Sequence, residues 1–134
     1  KQQEDTMATL SELSRSGISP SRLRLVFNMV DDGIEVDQAF EHLLAFLHAC
    51  PVAKASTRCR LGTNEVYGRI AGKGIDLAAL ARDDTNYKAL IAQANGAEEK
   101  IALAQKLATR RLACGVVPEL DACFAALELE AAAA

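Results

Sequence analysis

The stretch RLRLVFNMVD, residues 22–31, decides the fold class of this chain. Its first residues alternate between polar and apolar and are followed by continuously apolar ones. Residues 23–27 are therefore predicted to be a strand that becomes buried on both faces. The polar loop Asn28–Asp31 follows, and apolar residues then recur at helical spacing from Val36 to Leu47. A strand that passes through a polar loop into a helix is typical of an α/β layer.

A further helix is predicted before this strand. Met7, Leu10 and Leu13 recur every three residues and therefore line one helix face. Gly17 suits the left-handed conformation in which helices often end, so the helix is expected to stop near residue 16. Pro20 excludes more helix, because it lacks a backbone N–H and restricts the residue before it. Beyond the second helix, residues 56–61 have room for one more short strand.

The second half of the chain is predicted to be helical. Helices are expected at Asn64–Ile70, Leu77–Ala81, Tyr87–Ala94, Glu98–Cys114 and Glu119–Leu129, with breaks at residues 72–74, 95–96 and 115–118. Thr63 and Asp84 are candidates for capping two of these helices. The sequence thus predicts an α/β unit over residues 1–62, a helical segment packed on it over residues 63–130, and a tail at residues 131–134.

Composition narrows the possible functions. With 134 residues, half of them hydrophobic, the chain is expected to bury the core of one domain. The formal net charge of −3 provides no general attraction to nucleic acid or to an anionic membrane. No stretch approaches the roughly 20 apolar residues of a membrane-spanning helix. We therefore expect a cytoplasmic protein that does not associate with membranes.

The cysteines form no metal-binding or redox motif. None of them belongs to a C-x-x-C pair, which favours four free thiols in a reducing cytosol, although their even number also permits two disulfides. The four are Cys50, Cys59, Cys114 and Cys123. His42 and His48 lie six residues apart, on different faces of a helix, and have no ligand partner at metal-site spacing.

The loop after the predicted strand is the candidate binding site. Ligands of open α/β sheets bind beyond the carboxyl ends of the strands, where Asn28 and Asp31 are expected to lie. An Asn side chain offers a donor and an acceptor to the edge of a purine base, and a carboxylate accepts from a ring N–H or an exocyclic amine. The alternative is structural: Asn28 tolerates turn geometry, and Asp31 caps the following helix.

Two other stretches of the sequence give weaker evidence for a binding site. Residues 72–74, GKG, are too short for a phosphate-binding loop, and no G-x-x-x-x-G-K-[ST] motif occurs in the chain. A basic run that includes Lys106, Arg110 and Arg111 is a possible contact for DNA or a partner protein. Its alternative is a solvated helix face, since Glu98 and Glu99 lie nearby in the sequence.

The order of segments resembles a known family. A helix ending in LSRSGISPSR at residues 13–22, followed by LRLVFNMVD to residue 31, resembles the late α/β unit of ParA/MinD-like P-loop ATPases. Within that group the chain is most similar to StbB-type plasmid-stability proteins. The stretches TNEVYGRI at residues 63–70 and DDTNYKA at residues 83–89 strengthen this likeness, which extends over residues 1–127.

The resemblance implies a fold and a function. The fold would be the C-terminal part of a P-loop NTPase-like parallel sheet layer, followed by a mainly helical segment, and the parent would be an ATPase of plasmid stability or partition. Asn28 would contact adenine, with Asp31 close by. The stretch NMVD also resembles the N-K-x-D motif of GTPases, but Met29 replaces its Lys, which argues against guanine specificity.

The same resemblance implies cofactors and partners. The parent would use ATP with Mg²⁺, would dimerise, and would bind a partner protein or non-specific DNA. The Walker A loop, the switch aspartates and the first strands of the family would lie before Lys1, so this chain alone is expected neither to bind ATP tightly nor to turn it over. The alternative function is a non-enzymatic helical module that binds another protein.

Overall fold

The computed structural model describes residues 1–130, and the predicted tail at 131–134 lies outside them. The elements are α1 (Gln2–Arg15), a 3₁₀ turn (Pro20–Arg22), β1 (Phe27–Val30), α2 (Val36–Ala39), α3 (Glu41–Ala49), β2 (Arg60–Gly62), α4 (Val66–Ile70), α5 (Leu77–Arg82), α6 (Tyr87–Gln93) and α7 (Ala97–Leu127). Over this range the fold is mixed α/β and mostly helical, with one two-stranded parallel sheet. One unit comprises residues 1–63 and the stretch from Leu120 onward, and the other comprises Asn64–Glu119.

The end of α1 confirms the predicted helix stop. Gly17 has a φ of 84°, in the left-handed region that glycine enters without steric cost. Its N–H donates to the carbonyl of Ser14 at 3.0 Å, and the N–H of Ile18 donates to the carbonyl of Leu13 at 3.1 Å. These two bonds satisfy the last carbonyls of the helix in the Schellman arrangement.

Strand β1 begins where the predicted strand ends. The prediction of a strand over residues 23–27 with a loop at Asn28–Asp31 is therefore wrong, because β1 covers Phe27–Val30. In the parallel pairing Phe27 lies opposite Arg60 and Val30 opposite Gly62, so β1 holds one residue more than β2 between these pairs. The extra residue makes a bulge that turns both Phe27 and Val30, each 2% exposed, into the core, which regular alternation would not do.

Helices α2 and α3 connect the two parallel strands. Parallel strands cannot be joined by a hairpin, so the chain crosses over through helices between residues 30 and 60. The single helix predicted from Val36 to Leu47 is divided at Phe40, whose φ and ψ of −121° and 28° leave the helical region. The core between these elements is formed by Leu10, Phe27, Val30, Val36, Leu43 and Leu47.

The side chain of Gln3 fastens α1 to this crossover. Its Nε2 donates to the carbonyl of Ala39 and its Oε1 accepts from the N–H of Leu43, both at 3.0 Å. Both partners are backbone groups at the junction of α2 and α3, where a helix end and a helix start leave groups without intrahelical partners. One amide therefore satisfies a donor and an acceptor that sequence spacing does not reveal.

In the second unit, polar side chains next to the predicted caps accept from N–H groups at the starts of two short helices. Asn64, not Thr63, accepts from the N–H of Val66 at the start of α4, at 2.9 Å. Asn86, not Asp84, accepts from the N–H of Ala89 at the start of α6, at 3.1 Å. Asp76 caps α5. An amide or carboxylate oxygen serves equally at such positions, so composition alone does not select between neighbouring polar residues.

Helix α7 runs through the break predicted at residues 115–118, so that prediction is wrong. Pro118 lies inside the helix and interrupts its hydrogen bonding without ending it. Buried residues occur on both sides of Pro118, with Ala113 and Val116 in the second unit and Cys123 in the first. Burial of these apolar side chains offsets the cost of the proline. Within residues 1–130 no helix has the length and apolar character needed to cross a membrane.

Candidate functional site

The carboxyl ends of the two parallel strands bring polar residues together. Asp31 directly follows β1 and Thr63 directly follows β2, and the Thr63 hydroxyl donates to Oδ1 of Asp31 at 3.0 Å. The N–H of Thr63 also donates to the carbonyl of Val30 at 3.4 Å. We call Asp31 and Thr63, together with the exposed β1 residues Asn28 and Met29 that precede Asp31 in the chain, the strand-end cluster; the hydrogen bonds within it join Asp31 to Thr63 and Asn28 to Met29. All four residues are exposed and therefore accessible to a ligand.

Asn28 lies in β1 rather than in the predicted loop. Its Oδ1 accepts a 2.8 Å hydrogen bond from the N–H of Met29, so one acceptor position of the amide is occupied by the backbone. No other hydrogen bond of the Asn28 side chain is present among residues 1–130, which leaves the Nδ2 donors available. The side chain is thus better prepared to donate to a ligand than to accept from it.

The structure does not support the capping alternative for Asp31. Helix α2 begins at Val36 with Glu35 at its N-cap position, four residues beyond Asp31. The carboxylate of Asp31 instead receives the Thr63 hydroxyl, and its backbone carbonyl accepts from the N–H of Ile34 at 3.2 Å. Oδ2 has no partner among the described residues, so Asp31 retains an acceptor that a ligand can use.

Met29 adopts an unusual backbone conformation at this site. Its φ of 56° places a non-glycine residue in the left-handed region, which costs about 1–2 kcal/mol. Its side chain is 68% exposed and stands beside Asn28 in the bulge. Non-glycine residues with positive φ concentrate at functional sites, so this conformation directs attention to the strand-end cluster.

The predicted basic run does not form one uniform surface. Arg110 is half-buried, and its Nη1 donates to the carbonyl of Asp83 at 3.1 Å and to that of Thr85 at 2.6 Å. Its guanidinium also lies 4.8 Å from the centre of the Tyr87 ring. Lys106 and Arg111 are exposed. Arg110 therefore fastens the loop before α6, while the other two remain the candidates for contact with DNA or a partner.

Asp83 is the polar centre of that loop. Its carboxylate accepts from the hydroxyl and the N–H of Thr85, at 2.5 and 3.0 Å, and from the hydroxyl of Tyr87 at 2.8 Å. The hydrogen bonds from Thr85, then that from Tyr87, lower the pKa of Asp83 to about 2. The bond to Asp83 raises the pKa of Tyr87.

Thiols and metal ligands form no site in the described part of the chain. None of the four cysteines, all within residues 1–130, forms a disulfide, which agrees with the prediction of thiols and not with the two-disulfide alternative. Cys50 and Cys114 are exposed, whereas Cys59 and Cys123 are buried. Within residues 1–130 no group of three or more His, Cys, Asp and Glu side chains could hold a metal ion.

Comparison of this chain with protein-family models, with curated proteins and with solved structures finds no match. The geometry of the strand-end cluster is therefore the basis on which a function can be assigned.

Proposed function

We propose that this chain is the C-terminal part of a ParA/MinD-like P-loop ATPase of plasmid stability or partition, and that Asn28 and Asp31 face the base of its nucleotide. The hydrogen bond between Asp31 and Thr63 carries the proposal, because it joins the carboxyl ends of two parallel strands. Nucleotides bind at this end of parallel α/β sheets. The sequence resemblance supplies the identity of the family, and the βαβ connection between β1 and β2 is compatible with it.

The chemistry of the strand-end cluster suits adenine. The Nδ2 donors of Asn28 match the ring nitrogen acceptors of the base, and Oδ2 of Asp31 matches its exocyclic amine. Met29 provides an exposed apolar side chain and an adaptable thioether that can lie against an aromatic ring. Together these residues would form one wall of a base site, with the phosphates and Mg²⁺ held by other parts of the parent ATPase.

Adenosine binding to this chain tests the proposal. We expect adenosine to shift the amide NMR signals of Asn28–Asp31 and Thr63 saturably and weakly, with smaller shifts from guanosine. Asn28→Ala should weaken adenosine binding by about 1–3 kcal/mol, because a polar edge of the base loses its partner. Asn95→Ala is the matched control, since Asn95 is an exposed Asn in the other unit. Equal adenosine affinity of the two variants would remove Asn28 from the site.

We expect no ATP hydrolysis by the 134-residue chain, because it has no G-x-x-x-x-G-K-[ST] motif to hold the β- and γ-phosphates. Nucleotide-saturable release of phosphate by the purified chain would contradict this expectation. A contaminating ATPase is excluded by measuring Asn28→Ala in parallel. If the chain itself hydrolyses ATP, phosphate release by this variant should fall with its weaker nucleotide binding.

The alternative function, a helical module that binds another protein, is favoured by exposed apolar side chains of the second unit. Leu90 and Ile101 are 41% and 57% exposed on α6 and α7, and Ile75 is 41% exposed before α5. Exposed apolar surface marks interaction sites when it is contiguous. An adenosine titration that leaves residues 28–31 and 63 unshifted would favour this alternative over the base-binding proposal.

A further inference from the structure

A concave site lies in the first unit, at the end of the two strands opposite the strand-end cluster. It is a cavity of about 360 Å³ lined by the segments that precede β1 and β2 and by the last turn of α7. The parallel bridge between Arg24 and Lys54 lies beside it, before either strand begins. Arg24 precedes Asp31 by seven residues, which at strand spacing separates this cavity from the strand-end cluster by about 20 Å.

Three cationic side chains line this cavity, and one carboxylate accompanies them. We call Arg24, Lys54, Ser56, Arg58 and Glu128 the cationic pocket. Its three positive charges and one negative charge give a local excess of positive charge, although the whole chain has a net charge of −3. The ion pairs within residues 1–130 join the Lys1 amino group to Glu4 and Arg69 to Glu65, so none of the three cations is neutralised by a salt bridge.

Arg24 is held in place for binding. Its Nε donates to the carbonyl of Leu127 at 3.0 Å, and its Nη1 donates to the carbonyls of Ser21 and Leu23 at 2.5 and 3.2 Å. The Nη2 group makes no hydrogen bond within the described part of the chain. A guanidinium fixed through two of its nitrogens loses little entropy when the third binds a ligand, which favours recognition of an oxyanion.

The loop before β2 adds neutral donors. The Ser56 hydroxyl accepts from the N–H of Arg58 at 3.3 Å and keeps its own proton for a ligand. Within residues 1–130 the backbone N–H groups of Ala55 and Ser56 donate to no other group. Consecutive backbone N–H groups without partners are a common component of phosphate sites. This loop therefore supplies hydrogen bonds next to the three positive charges.

Cys59 and Glu128 affect the charge of the pocket in different ways. Cys59 is 3% exposed, and burial raises the pKa of its thiol, so it stays protonated and adds no negative charge near neutral pH. Glu128 has a φ of 51° at the end of α7 and places a carboxylate at the cavity. It is the acidic residue among those that line the pocket, and it opposes an anionic ligand.

We infer that the cationic pocket binds a small molecule through a phosphate group. Phosphate suits a site with one fixed guanidinium, two further cations and several N–H and O–H donors. The cavity exceeds the volume of a phosphate ion and reaches the lower range of small-molecule sites, so an organic portion also fits. The inference is independent of the base-binding proposal, because the two sites share no residue and lie at opposite strand ends.

A titration of the ¹⁵N-labelled chain with inorganic phosphate and with ribose 5-phosphate, at an ionic strength held constant with chloride, tests the inference. Saturable shifts are expected at Arg24, Leu25 and residues 53–59. Arg58→Gln and Lys54→Gln should each weaken phosphate binding about three- to tenfold, the effect of one unit charge near a surface site. Lys73→Gln, which changes an exposed lysine of the other unit, should leave binding unchanged.

The decisive variant is Glu128→Gln, which should tighten phosphate binding about three- to tenfold. A variant that merely perturbs the fold would weaken binding, so an increase in affinity is specific to the charge of the pocket. Equal affinity of Glu128→Gln, Arg58→Gln and the unchanged chain would overturn the inference. NMR shifts that chloride alone reproduces would also overturn it. Binding of a single-stranded oligonucleotide without any response to inorganic phosphate or ribose 5-phosphate would overturn it too, because this would indicate a surface for a nucleic-acid polymer.

Discussion

The Oγ1 hydroxyl of Thr63 donates a 3.0 Å hydrogen bond to Oδ1 of Asp31, and this bond joins two residues that are 32 positions apart in the sequence. Thr63→Val removes the donor at nearly constant volume and should lower the free energy of unfolding by about 0.5–1 kcal/mol, since both residues are exposed. Urea denaturation measures this change. Thr57→Val is the control, because the Thr57 hydroxyl makes no hydrogen bond within residues 1–130.

Arg110 and Arg111 are adjacent arginines with different expected roles. Arg110→Ala removes two hydrogen bonds to backbone carbonyls and the contact with the Tyr87 ring, and it should lower the free energy of unfolding by about 1–3 kcal/mol. Arg111→Ala should change it by less than about 0.5 kcal/mol, because Arg111 is exposed. Equal unfolding midpoints of the two variants would contradict the structural role of Arg110.

The two exposed residues of the basic run give a separate prediction for nucleic acid. If the exposed side chains of Lys106 and Arg111 contact DNA phosphates, each neutralising substitution should reduce the slope of log affinity against log salt by about one. The slope is measured by fluorescence anisotropy with a labelled duplex at several salt concentrations. An unchanged slope in Lys106→Gln and Arg111→Gln would identify these residues as ordinary solvated surface.

The pKa of Asp83 sets a pH dependence of stability. Hydrogen bonds from Thr85 and Tyr87 lower this pKa to about 2, below the value of about 3.9 for an unfolded Asp. A depressed pKa stabilises the fold fully above the unfolded value, and the contribution is lost as the pH falls from about 4 towards 2. The difference in unfolding free energy between the unchanged chain and Asp83→Asn should therefore shrink over this range. The same difference for Asp84→Asn, an exposed neighbour, should stay small throughout.

Gln3 provides a test of the attachment of α1. Gln3→Ala removes both hydrogen bonds to the junction of α2 and α3 and should lower the free energy of unfolding by about 1–2 kcal/mol. Gln2→Ala alters an exposed residue of the same first turn and should have little effect. Hydrogen exchange at Leu43, whose N–H donates to Gln3, should accelerate only in the first variant. Equal exchange rates would show that the amide does not hold α1.

Local sequence signals predicted the elements that depend on local geometry. Gly17 marked the end of α1 because its left-handed φ is a property of one residue and its neighbours. The predicted strand, residues 23–27, differs from the observed strand Phe27–Val30. The reason is that a bulge lets residues three apart share the core, which regular alternation does not predict. Pro118 suggested a break because its local cost is visible in the sequence, whereas the buried residues that outweigh it are known only from the fold.

The candidate sites also contain some residues that the local sequence indicates and others that only the fold brings together. Asn28 and Asp31 were selected from their position after an apolar run, and the structure adds Thr63 to them. The cationic pocket was not anticipated, since Arg24, Lys54 and Glu128 come from three distant parts of the sequence. Only the crossover between β1 and β2 and the end of α7 bring them to one cavity. No spacing motif records such an arrangement.

The bulge in β1 leaves one residue of this strand without a partner in β2. Four steps separate Phe27 from Asp31, whereas three separate Arg60 from Thr63, and the pairs at both ends match only because β1 accommodates one extra residue. Deleting Met29 would make the two spans equal, so Asp31 would still lie opposite Thr63, and Val30, then two residues from Phe27, would still face the core in a regular pairing. Position 29 should therefore tolerate many side chains, including glycine, and also its own deletion, whereas a residue inserted between Phe27 and Val30 has no partner in β2 and should not be tolerated.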